Sequence, residues 1–186
     1  MRTIQPPLFS PETEWVMPEE LKDLSNYKEI AVDLETNDPD LTTLGSGNVV
    51  GRGHIAGIAL AVDGWSGYFP VKHENGGNMD KKLVFNWLKD IFKQEDTTFI
   101  FHNAMYDVCW LRFYGIEIKG KIVDTMIAAS LIDENRLSYQ LNTLARHYIG
   151  IGKDEKILQE AAKLWEVDPK KDLWRLPAMF VGQYAE

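Results

Sequence analysis

Residues 30–36 read Ile-Ala-Val-Asp-Leu-Glu-Thr, an apolar run ending in two carboxylates, Asp33 and Glu35, two positions apart. On an extended chain two such residues share one face roughly 6–7 Å apart, because each residue advances about 3.3 Å. Like charges at that spacing raise each other's pKa unless a cation lies between them, so one reading is a divalent metal site with hard oxygen ligands. The other is a half-exposed strand showing its acids to water. Further along, the stretch FHNAMYDVCW sets Asn103 and Asp107 four apart, on one face of a helix that begins where a strand ends. Ligand sites of α/β sheets gather at strand carboxyl ends. An N-capping Asn103 followed by an acid that suits the helix dipole accounts for the same pair without any ligand.

The elements that position these residues follow from local pattern. Residues 29–34 are expected as a strand with Ile30, Val32 and Leu34 on one side and Ala31, Asp33 and Glu35 on the other. A loop rich in Asn, Asp, Pro and Gly spans 37–53. HIAGIALAVDGWSGYFPV then reads as two strands joined at Asp63-Gly64. Val84, Trp87, Leu88 and Ile91 stand at helical spacing behind a capping Asn78 or Asp80. Residues 97–101 form a buried strand that runs into a helix closed by Gly115, and GKIVD adds a short strand before a helix capped by Asp124. Beyond it lie two helical stripes, Leu137, Leu141, Leu144, Ala145 and Tyr148, then Ile157, Leu158, Ala161 and Trp165. Pro177 suits the first turn of a last helix on which Val181 and Tyr184 share a face. The opening stretch, with four prolines, is expected as an extended arm followed by a short helical turn at 19–24. A meander of three strands followed by alternating strand and helix implies an α/β fold with a mixed sheet flanked by helices and a helical C-terminal part.

The chain has 186 residues, 45% hydrophobic and 26% charged, which fits one folded domain with a substantial core. A formal net charge of −8 excludes a protein that grips nucleic acid through a broad basic surface, so cations or a partner must supply positive charge to any phosphate substrate. The single cysteine, Cys109, leaves no internal disulfide, and the first residues lack a signal-peptide core. No run approaches eighteen apolar residues, so no membrane partner and a cytoplasmic location are expected.

Taken in order, Asp33-Leu34-Glu35-Thr36 after an apolar strand, His102-Asn103-x-x-x-Asp107 at a strand-to-helix junction, and GQYAE on the final helix resemble the three motifs of the DnaQ-like (DEDD) 3′→5′ exonucleases. The chain is most similar to the proofreading domain of bacterial or phage family A DNA polymerases, from about residue 28 onward. GIEIKGKIVDTMIAASLIDEN and LNTLARHYIG resemble the segment between the second and third motifs there. Tyr184 points to the tyrosine branch of the family.

The resemblance implies a ribonuclease H-like fold, an N-terminal arm over 1–27, and an exonuclease domain over 28–186 that acts on the 3′ end of single-stranded DNA, with a polymerase domain following in a parent protein. It implies two divalent cations, Mg²⁺ or Mn²⁺. Asp33 would bridge both, Glu35 would hold the water-activating ion, Asp107 would place the second through water, and Tyr184 would orient the attacking water. Thr36 and Asn103 are the implied substrate contacts, and Leu41 the wedge that splays the terminal bases, with Pro39 standing where relatives carry their leucine. The family's third motif continues to an Asp two residues past Glu186. The chain is therefore expected to be truncated just before that Asp, to bind metal weakly, and to cut slowly or not at all. A free-standing exoribonuclease with the same hydrolytic residues, and a non-catalytic module that keeps the fold, are the alternatives.

Overall fold

The computed structural model describes residues 11–186. Among them one five-stranded sheet runs in the order β3-β2-β1-β4-β5, with β1 at Glu29–Asn37, β2 at His54–Val62, β3 at Trp65–Pro70, β4 at Thr98–Phe101 and β5 at Lys121–Asp124. The first three strands form an antiparallel meander whose β2–β3 turn falls at Asp63-Gly64, where Gly64 takes φ 75°. β4 and β5 then add parallel to β1, each reached through a helix. The mixed sheet is as expected. β1 continues past Leu34 because its ladder with β2 extends to Asn37 opposite His54. The pairing slips directly after Glu35, where Thr36 faces Ile55 and Ala56 is the extra residue of a bulge.

The helices are α1 (Gly47–Val50), α2 (Lys81–Phe92), α3 (Ala104–Phe113), α4 (Thr125–Ile132), α5 (Leu141–Ile149), α6 (Lys156–Leu164) and α7 (Ala178–Ala185), with one 3-10 turn at Leu173–Arg175. Ile30, Val32 and Leu34 pack with the α2 residues Val84 and Leu88 and the α3 residue Trp110 in one apolar layer. Ala59 and Tyr68 pack with Leu158 and Ala161 of α6 and Phe180 and Val181 of α7 in a second. The strand's two-residue period therefore turns Asp33 and Glu35 toward the α6–α7 side.

Three expectations need correction. Residues 19–24 form no helix; Glu19 and Glu20 lie in a bend and 21–24 are irregular, Leu24 is buried, and the Lys22 carbonyl accepts from Trp87 Nε1 at 3.0 Å, so a tertiary bond stands where a local turn was expected. The loop 37–53 contains α1, tethered where both oxygens of Asp38 accept the Gly47 N–H at 3.0 and 3.1 Å. Leu137 is fully exposed and precedes α5, and of the expected stripe only Leu144 is buried, since helical periodicity defines an apolar face but not what covers it. The arm's residues 1–10 lie outside the described residues. No helix among the described residues is long and apolar enough to cross a membrane.

Candidate active site

β1 and β4 run parallel with Ala31 opposite Ile100, so Asp33 and Glu35 lie at and beyond the carboxyl end of β4, where α3 begins. The junction is a tight one. Asn103 adopts the left-handed conformation, φ 70°, which Asn tolerates better than most residues, and its side chain makes no cap bond. Asp124 holds this corner: its carboxylate accepts the N–H groups of Asn103 and Ala104 at 3.1 and 2.8 Å, and caps α4 through Met126 at 2.9 Å and Ile127 at 3.4 Å. Burial opposes its charge, but these four bonds keep its carboxyl below the usual range. Asp124→Ala uncaps two helices at once and is expected to cost about 2–3 kcal/mol. Thermal denaturation should show a fall of roughly 5–10 °C.

In the first turn of α3, Asp107 is buried beside the two strand acids. Burial, then the charge of Asp33, pushes its carboxyl up to about 8, against a hydrogen bond from the Leu34 backbone, the residue between Asp33 and Glu35. Burial, then Asp33, with Asp107 adding, pushes Glu35 up to about 8. Asp33 is itself raised by burial, opposed by Lys153 and His102. The three acids thus share one electrostatic neighbourhood, and none is in an ion pair within 4.0 Å among the described residues. Buried hard-oxygen donors without an ion-pair partner are the donor type a divalent cation takes. Among the described residues no group of three acidic, His or Cys side chains is arranged to hold a metal ion.

Tyr184 faces this cluster from α7 and lines a cavity of about 310 Å³ with Glu35 and Lys153. Burial, then Glu35, raises its phenol. Thr36 bonds the Tyr106 hydroxyl at 2.7 Å, and that hydroxyl donates to Asp38 Oδ2 at 3.0 Å, so a protein partner already engages Thr36. Leu41 is half-exposed in a neighbouring groove with Thr36, Pro39, Tyr106, Lys170 and Lys171. Asn103 is exposed at the turn, with its backbone rather than its side chain engaged. Two residues had no sequence signal: Lys153, and Lys170, which lines both the groove and the Glu35 cavity. Both lie in irregular segments, where no periodicity marks a site-facing side chain.

A meander joined to parallel strands, with acids at the carboxyl end of the central strand, is the ribonuclease H-like α/β arrangement. The fold of NrnC from Brucella melitensis, in a structure with bound Mg²⁺, superposes with a TM-score of 0.53 at 18% identity over 72% of this chain and 59% of that one. Residues 10–178 match the family model of the 3′-5′ exonuclease domain of family A DNA polymerases, and the chain belongs to that family. A DNA-directed DNA polymerase of Pseudomonas phage M6 is 40% identical over 195 residues, covering 100% of this chain and 29% of the polymerase. DNA polymerase DpoZ of Salmonella phage PMBT28 is 28% identical over 144 residues, 76% of this chain and 20% of that protein. The chain spans less than a third of the length of these relatives.

Proposed function

We propose that this chain is the proofreading module of a DNA polymerase and removes nucleotides from the 3′ end of single-stranded DNA with two divalent cations, Mg²⁺ or Mn²⁺. A polymerase domain of the same protein would be its partner, in the cytoplasm of a bacterium or a phage-infected host. The observation that carries the reading is the cluster of Asp33, Glu35 and Asp107, drawn from two elements to one strand end and faced by Tyr184. Family membership supports the reaction, and the polymerase relatives support DNA as substrate.

When bound, the cations would supply Lewis acidity, favouring loss of a proton from water and stabilising the leaving oxygen. The chain's own residues do the rest. Ionised Asp33, Glu35 and Asp107 would hold the cations, whose charge would meet the phosphate and reconcile an acidic protein with a polyanionic substrate. The Tyr184 hydroxyl orients the attacking water. The water oxygen forms a bond to phosphorus as the bond to the 3′ oxygen breaks; one proton leaves the water and one is taken up by the 3′ oxygen, releasing a nucleoside 5′-monophosphate. Lys170 and Lys171 place positive charge along the groove that leads to Leu41.

A 5′-labelled single-stranded oligonucleotide incubated with the chain and Mn²⁺ is expected to shorten stepwise from its 3′ end, faster than RNA of the same sequence. Internal cuts, or RNA degraded at the same rate as DNA, would overturn the reading.

A further inference from the structure

Lys153 belongs to the loop between α5 and α6, and a hydrogen bond to α5 ties its backbone there. Its N–H donates to Asn142 Oδ1 of α5 at 3.0 Å. The preceding Gly152 packs against α5 side chains: a Cβ there would lie 2.5 Å from Arg146 Nε and 2.8 Å from Asn142 Oδ1. From this anchor the side chain reaches α7, where Nζ donates to the Tyr184 hydroxyl oxygen at 3.2 Å and stands 4.4 Å from the ring centroid. Asp33 and Glu35 act on the ammonium electrostatically, yet neither forms an ion pair with it within 4.0 Å among the described residues. The lysine is thus bonded to the phenol rather than to the acids.

An ammonium offers only donors, whereas a phenol both donates and accepts. The Lys153 bond occupies a lone pair of Tyr184 and leaves the phenol's own hydrogen for another acceptor. We propose that Lys153 is a positioning residue for the hydrolysis: it fixes the Tyr184 hydroxyl as a hydrogen-bond donor to the attacking water in the cavity shared with Glu35. A donated hydrogen bond stabilises that oxygen as it loses its proton and holds one of its remaining lone pairs for phosphorus. The cation–π contact keeps the ring from swinging away. The inference rests on the proposed exonuclease reading for its reaction, but not for its geometry.

Lys153→Met keeps the length of the stem and removes the donor. It is expected to lower kcat on single-stranded DNA about 30-fold with KM within about twofold. Lys153→Arg, which retains a donor, is expected to recover most of the rate. In a Tyr184→Phe background the same Lys153→Met change is expected to cost less than about twofold, because the hydroxyl it orients is gone. In metal-free protein carrying ¹³Cζ-labelled tyrosine, Lys153→Met is expected to shift the Tyr184 resonance, identified by its loss in Tyr184→Phe, and leave the other tyrosines in place. Equal losses in both backgrounds, a raised KM with unchanged kcat, or an unmoved Tyr184 resonance would each overturn the proposal. If no form of the chain hydrolyses DNA, the exonuclease reading of this chain fails, and the resonance alone decides whether Lys153 positions Tyr184.

Discussion

Asp33→Asn is expected to remove hydrolysis almost completely, by a factor on the order of 10³, while leaving the metal-free protein as stable as the native chain or more so at pH 8. The two effects have one cause. Asp33 lies on the central strand β1, on the same face as Glu35, and its charge acts on both Glu35 and Asp107, raising each carboxyl. An amide of the same shape removes that repulsion, so the metal-free cluster relaxes. On the proposed reading the same change takes away a carboxylate that would hold the cations, and with it charge that would attract them. Isothermal titration with Mn²⁺ should show weakened binding, and a gel assay on a labelled oligonucleotide should show the loss of rate. A variant that hydrolyses DNA as fast as the native chain would mean that Asp33 is only a strand residue with an acidic side chain. A variant that melts well below the native chain in metal-free buffer would assign Asp33 a structural role instead.

That pairing of residues was legible because it depends on periods fixed by the backbone. Two-residue alternation puts Asp33 and Glu35 on one face, and the same alternation sends Ile30, Val32 and Leu34 to the layer beneath α2 and α3. The i to i+4 step predicts Asn103 and Asp107 on one helical face, but Asn103 stands exposed in a left-handed turn before α3, and it is the parallel pairing of β1 with β4 that brings the first turn of α3, with Asp107, to Asp33. Tyr184 carried no signal beyond its motif, since a tyrosine at helical spacing with Val181 packs equally well into a core. Lys153 and Lys170 were invisible. The first lies in a loop tied to α5 through Asn142 Oδ1, a tertiary arrangement with no local pattern. The failed helix at 19–24 has the same origin: a hydrogen bond from Trp87, distant in sequence, decided the backbone of Lys22. Composition also pointed one way only. A net charge of −8 argues against a basic nucleic-acid surface, and it hides the few lysines that line the groove and the cavity.

The charge state of the cluster couples metal, pH and stability, and this sets the second large effect. Glu35 and Asp107 each titrate near 8 in the folded chain, from ordinary values of 4.5 and 3.8. Between those limits the native state binds more protons than the unfolded one, so their contribution to stability falls as pH rises through that window. Two buried histidines work in the opposite sense. His54 and His73 are lowered to about 4, chiefly by burial, so the unfolded chain binds their protons first and stability rises with pH between about 4 and 6.5. The opposing slopes offset each other below about pH 6.5, which leaves a net decline between about 6.5 and 8. Metal-free protein is therefore expected to lose several degrees of melting temperature across that upper window. On the proposed reading cations would bind the ionised acids, so Mg²⁺ should reverse the decline: at a free concentration ten times its Kd it would add about 1.4 kcal/mol, roughly 3–6 °C for a chain of this size. At pH 5.5, where the acids hold their protons, the same Mg²⁺ should change the melting temperature little. Glu35→Gln removes one of the two titrating groups and should flatten the metal-free decline and shrink the Mg²⁺ response together. Stability that is level from pH 6.5 to 8 without metal, or an equal Mg²⁺ shift at pH 5.5 and 8, would show that these buried acids are not the groups that meet the cation.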